Sequence, residues 1–176
     1  MSFFKSLFWV VALAIGAAGC ASQPPVDRYQ AANTGPLAYD GFLAYGAFKD
    51  LAVEGRFEKA LCARLMQAGH ACTPMLAIAT PTSPQDSASR QRAMQDSGAQ
   101  AALIVELLDP DTTSRRVLAD GRPAYRVSVI DIASQAVVAR LVIRNPDGAN
   151  TLDARAKAVA EATSRSLKDA GWLAPR

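Results

Sequence analysis

Ala101-Ala102-Leu103-Ile104-Val105-Glu106-Leu107-Leu108 is apolar at every position but Glu106. A run this short and this continuous lacks a helical period, and it predicts a strand covered on both faces, the centre of a sheet. Upstream, Gly98 closes a polar stretch, Gln85 to Ser97, whose modest apolar side (Ala88, Ala93, Met94) suits a surface helix. Before it, Thr80-Pro81-Thr82-Ser83-Pro84 reads as a loop. Ala71 to Ala79 is a further apolar stretch broken by Pro74, so a strand here lies at an edge or begins after the proline. From Glu54 to Ala68, residues Phe57, Ala60, Leu61, Leu65 and Ala68 recur mostly at spacings of three and four, and Gly69 follows; this is an amphipathic helix. Gly41 to Phe48 predicts a buried strand.

Downstream, a charged loop from Asp109 to Gly121 leads to Tyr125, Val127 and Val129 alternating with Arg126 and Ser128, the period of a strand. Ala133-Ser134-Gln135 turns the chain into a hairpin partner, Ala136 to Arg144, which Asn145-Pro146-Asp147-Gly148 stops. A last helix is predicted over about 151–170 with Leu152, Ala156, Val159, Ala160 and Leu167 as its stripe, and Trp172-Leu173 is expected to fold back on the domain. The predicted order is β-α-β-α-β-β-β-α. It specifies an α/β (α+β) fold: a mixed sheet of about five strands with three helices, parallel in its first crossovers and a meander in its last three strands.

The chain has 176 residues, 50% of them hydrophobic and 20% charged. That composition supports a packed core and excludes disorder of the whole. At the N-terminus, Lys5 precedes the apolar run Leu7 to Ile15 and the small residues Gly16-Ala17-Ala18-Gly19, the grammar of a secretory signal. The run is about half the ~20 residues that a spanning helix requires. Removing residues 1–19 leaves one domain's worth of chain with 18 Lys+Arg against 16 Asp+Glu. Such balance argues against a nucleic-acid partner.

Ala17-Ala18-Gly19-Cys20 resembles the lipobox of bacterial lipoproteins, with Ala17 where the family usually has Leu. The resemblance implies that Cys20 is the lipid attachment (palmitate-bearing) residue and the new N-terminus, and that the membrane is a partner through this lipid. Ala21, rather than Asp, implies the outer membrane, facing the periplasm, by resemblance to enterobacterial sorting. Residues 20–40, polar and rich in Pro and small residues, are expected to be a flexible tether spanning ~25 Å, with residues 41–176 as a single α/β domain. Tyr29 and Tyr39 are expected to be solvated linker aromatics, the alternative being that they dock on the domain or on a partner. Along roughly residues 41–170 the chain also resembles small periplasmic proteins of the CsgG, LpoB and TolB N-terminal domain types. The residues that carry this are Ala60-Leu61, Leu65 and Gly69, Ser97-Gly98-Ala99 before Leu103-Ile104-Val105, and Val127 to Ala133 before Val137-Val138-Ala139. None of these motifs is catalytic.

Few residues are placed to carry chemistry. Cys62 and Cys72 lie ten positions apart in a chain expected in an oxidising compartment; they form a disulfide, or serve as two buried free thiols. His70, the one histidine, excludes a zinc site built on several histidines and suits a turn. Asp109, Asp111 and Asp120 lack the calcium-loop spacing. Arg115, Arg116, Arg122 and Arg126 form at most a basic patch interleaved with Asp. No phosphate loop, nucleophile elbow or metalloprotease motif occurs. The expectation is therefore a non-enzymatic, lipid-anchored envelope lipoprotein that binds an unknown periplasmic or envelope protein, with no catalytic residue, metal or cofactor. The competing expectation is a small periplasmic hydrolase or ligand-binding protein acting on cell-wall or lipid material, with Glu106 or Asp131 as general base.

Overall fold

The computed structural model describes residues 24–32, 34–108, 123–144 and 150–175. The signal segment, Cys20, Asp109, Asp111, Asp120, Arg115, Arg116 and Arg122 lie outside these residues. The described elements are β1 (Val26–Gln30), β2 (Gly41–Gly46), α1 (Leu51–Gln67), β3 (Ala71–Pro74), α2 (Met75–Ile78), α3 (Ser87–Asp96), β4 (Ala101–Leu107), β5 (Ala124–Asp131), β6 (Ala136–Arg144) and α4 (Leu152–Asp169). The fold is α+β, with a six-stranded mixed sheet in the order β1-β6-β5-β4-β2-β3. β2 runs parallel to β3 and β4, while β4, β5 and β6 form the expected antiparallel meander.

Two differences from the sequence reading matter. Residues 20–40 do not form a tether throughout, because Val26–Gln30 is a strand that pairs antiparallel with β6, Val26 opposite Ile143 and Gln30 opposite Ala139. Its cohesion comes from backbone pairing at a sheet edge, which leaves no apolar period to read in Val-Asp-Arg-Tyr-Gln. Tyr39 likewise is no linker aromatic: it is buried, and its N–H donates to the Trp172 carbonyl. Tyr29 is exposed. The second difference follows Pro74: β3 lies at the sheet edge, as the proline leads one to expect, but it ends there after four residues and the short α2 takes up the rest of the stretch. A proline cannot donate into the ladder, but it can precede the first turn of a helix, where the N–H groups have no partner within the helix.

One face of the sheet carries the main core. α1 and α4 lie side by side on it, placing Phe57, Leu61, Leu65, Val159 and Leu167 against Phe42, Leu103, Val105, Tyr125, Leu141 and Ile143. Asp50 caps α1 through Ala52 N–H at 2.8 Å, and Thr151 caps α4 through Ala154 N–H at 3.2 Å. Among the described residues, α2 and α3 cover the other face over β2, β4 and the Ile130 end of β5, burying Leu43, Met75, Ala79 and Ala102. Across β5, β6 and β1 that face carries Arg126, Ser128, Arg140, Arg144, Asp27 and Tyr29, as the pairing of Asp27 with Val142 and of Tyr29 with Arg140 requires.

Candidate functional site

Among the described residues, three polar clusters and one groove bring together the side chains that bear on function. The first lies between α1 and the α2–α3 segment. Glu54 and Glu58, one helical turn apart, share the buried stripe of α1 with Phe57, Leu61 and Leu65. Arg90 of α3 reaches Glu54 with both terminal nitrogens, at 2.5 and 3.2 Å, donates to Gln85 Oε1 at 2.6 Å, and stacks its guanidinium 4.6 Å from the Tyr45 ring centroid. Glu58 accepts from Gly46 N–H at 3.1 Å and from Leu76 N–H at 2.9 Å, so it caps α2 from outside. Burial pushes its carboxyl up to about 7, although these two N–H groups pull the other way. Two carboxyls and one guanidinium thus share a buried space, and burial favours the neutral form of Glu58 in it. In the sequence Glu54 and Glu58 are acidic residues near a helix start, and their spacing from Phe57 and Leu61 is the signal that they point inward.

The second cluster sits at the end of the sheet where β2 and β4 begin. Tyr39 donates its hydroxyl to Asp131 at 3.2 Å, and Ser134 donates to the same carboxylate through its hydroxyl at 2.6 Å and its N–H at 2.8 Å. These Ser134 bonds hold Asp131 below the usual carboxylate range, while burial, followed by the Asp131 charge, pushes Tyr39 up to about 12. His70 Nδ1 lies 3.1 Å from Asp40 Oδ1 beside the turn that Gly69 makes at φ 91°. Histidine and aspartate here tie a turn to the start of β2.

Glu106 lies on the opposite face, where Arg126 Nε donates to it at 2.8 Å; this pair is the third cluster. Arg126 is therefore half of an ion pair. Asp131 pairs with Ala101 and Arg126 with Glu106 along the same strand, so the two carboxylates stand five strand positions apart, ~17 Å, and on opposite faces. A pair of carboxylates flanking one scissile bond needs a separation of roughly 5–9.5 Å. The structure does not bring Glu106 and Asp131 together.

Cys62 and Cys72 are bridged, with their Cα atoms 5.0 Å apart, and the bridge joins α1 to β3. Finally, a groove of about 840 Å³ runs between the outer sides of α1 and α4, floored by Gly55, Ala60, Ala156 and Ala160 and rimmed by Lys59 and Glu161. Among the described residues, no group of three or more His, Cys, Asp or Glu is arranged to hold a metal ion, and no helix is long and apolar enough to cross a membrane.

No family model matches the chain, and no curated protein matches it in sequence. Solved structures do match in shape. Two structures of the PelC dodecamer from Paraburkholderia phytofirmans superpose with a TM-score of 0.50, at 15% and 14% identity, each covering 88% of this chain and 100% of the other. At that identity the likeness is one of fold.

Proposed function

We propose that the protein is a lipid-anchored, non-enzymatic envelope module whose α+β domain assembles with other protein subunits, foremost with copies of itself. The observation that carries this reading is the employment of the chemistry-bearing side chains. Asp131 accepts three hydrogen bonds that fix a turn and a buried tyrosine, Glu106 is paired with Arg126, and His70 ties down Asp40. A general base needs a free lone pair aimed at substrate and a proton affinity near the working pH. The bonds to Asp131 occupy three of its roughly four lone-pair sites and hold its proton affinity below the usual carboxylate range. The export signal and lipobox-like segment ending at Cys20 support the anchor, and the resemblance to small periplasmic lipoprotein domains supports the location. The fold shared with a protein solved as a dodecamer supports self-assembly.

The test is native mass spectrometry of the chain extracted from envelopes in mild detergent, beside a Cys20→Ser form. Acylated protein in a homo-oligomer, or in a stoichiometric complex with another envelope protein, is the expected result. Monomers from both forms, together with a hydrolytic activity abolished by Glu106→Gln or Asp131→Asn in folded protein, would establish the hydrolase instead.

A further inference from the structure

The strand β1 changes what a lipid on Cys20 can do. Val26 is already paired with Ile143, and Arg144 N–H donates to the Pro25 carbonyl at 3.2 Å, so the sheet begins six residues after Cys20. Fully extended, six residues reach ~20 Å. Two of the five between them are Pro24 and Pro25, whose rings fix φ and stiffen the link. β6 alone, with nine residues, is ~30 Å long. The link is therefore shorter than the sheet, and the end where β1 starts cannot stand far from the bilayer.

That end is well defined by register. There β1 begins at Val26, β6 finishes at Arg144 opposite Ala124, β4 finishes at Leu107 opposite Tyr125, and β2 finishes at Gly46 opposite Val105. Both long helices start at the same end, their second and first turns joined by the Arg56–Asp153 ion pair at 2.5 Å. Leu51, at the first position of α1, and Leu108, directly after β4, lie on it and are 38% and 37% exposed; Met66 and Val137 at the far end are 56% and 37% exposed, so the short link to Cys20, not apolar content, selects this end. Lys49 is exposed beside them and Phe48 partly so. The sides of the sheet are less suited to lipid. Along β1 the flank presents Asp27, Arg28, Arg165 and Asp169, and the open face presents Arg126 paired with Glu106.

We infer that the domain stands end-on against the bilayer, with the end bearing Leu51, Leu108 and Lys49 as a second, weaker contact with the lipid surface beside the acyl anchor. This rests on the anchor assigned to Cys20. Burying a leucine side chain in the interface adds only modestly to an acyl chain, so the contact sets orientation more than affinity.

The experiment uses single-cysteine labelling, since Cys62 and Cys72 are bridged and Cys20 carries the lipid. Leu51→Cys, Leu108→Cys and, at the far end, Ser134→Cys are labelled with an environment-sensitive fluorophore in the full-length protein. They are reconstituted in vesicles of phosphatidylethanolamine and phosphatidylglycerol with and without headgroup-attached nitroxide. Mass spectrometry first confirms acylation; an unacylated product overturns the anchor assignment and is read separately. With acylation confirmed, labels at positions 51 and 108 are expected to be quenched at least twofold more than the label at 134. Inserting fifteen Gly/Ser residues after Ser22 should shrink that difference without reversing it. Equal quenching at all three sites in the chain of native length, or stronger quenching at position 134, overturns the end-on placement.

Discussion

At Glu58 the protein keeps a carboxyl where a neutral side chain would suffice. The folded state holds the proton up to about pH 7, whereas an unfolded glutamate releases it near 4.5. The stabilisation from the protonated form is complete below 4.5 and is lost as the pH rises through 7. Glu58→Gln keeps an oxygen for the Gly46 or Leu76 N–H and never ionises. Urea denaturation at pH 5 and pH 8 should show the native chain losing more stability between the two than the Gln variant. The acidic groups held low, Asp86, Asp131 and Asp153, change protonation below this window and do not confuse the comparison. The partner residue behaves differently. Arg90→Ala leaves Glu54 buried without its counter-ion, a defect of about 3–5 kcal/mol, and should release α3 in hydrogen exchange before the rest of the domain unfolds. Gly46 is a third point of tension, since a Cβ there would meet Glu54 Cα and O at 3.0 Å. Gly46→Ala must therefore push β2 away from α1, and calorimetry should record a lower Tm.

At the scale of elements, the Cys62–Cys72 bridge fastens the shortest edge strand, β3, to the long helix before it. Closing a loop of ten residues should stabilise by about 2–3 kcal/mol in the chain-entropy account. The double variant Cys62→Ala, Cys72→Ala should lose that amount in chemical denaturation, with β3 and α2 the first amides to exchange. Hydrogen exchange also tests β1, whose amides should be slow despite a sequence that reads as linker. The elements show which signals a sequence carries. β4 is legible because burial on both faces leaves an unbroken apolar run, and α1 and α4 because a packed helix repeats its apolar positions every three or four residues. β1 is not legible, since an edge strand held by backbone bonds leaves its side chains free to be Asp, Arg and Gln. Nor is the cluster of Glu54, Glu58 and Arg90, because its residues come from two helices whose contact is settled only by the tertiary fold. Asp131 was legible as a chemical group but not as a structural one, its Tyr39 partner having been read as part of the tether.

Among the described residues the two sheet faces differ. One is covered by α1 and α4, and the other is covered over β2, β4 and the Ile130 end of β5 but carries side chains such as Arg140 and the 58% exposed Tyr29 over β6 and β1. If copies assemble through this open part, Tyr29→Asp with Arg140→Glu should lower the assembly mass in native mass spectrometry. Surface changes of this kind leave stability within about 0.5 kcal/mol. An unchanged mass would place the contact elsewhere, with the groove between α1 and α4 next in line.

The pairing of β1 with β6 also has a consequence for the order of events in a living cell. Asp27 and Arg144, an ion pair across these two strands, are separated by 117 positions. A chain that emerges N-terminus first delivers Val26–Gln30 early and β6 more than a hundred residues later, so β1 waits unpaired until nearly all of the polypeptide has arrived. Pairings of such long sequence separation form slowly, after local structure is in place. The seam between β1 and β6 is then among the last of the sheet to close, and if Cys20 carries the lipid proposed above, its closure is what shortens the distance between the domain and the bilayer.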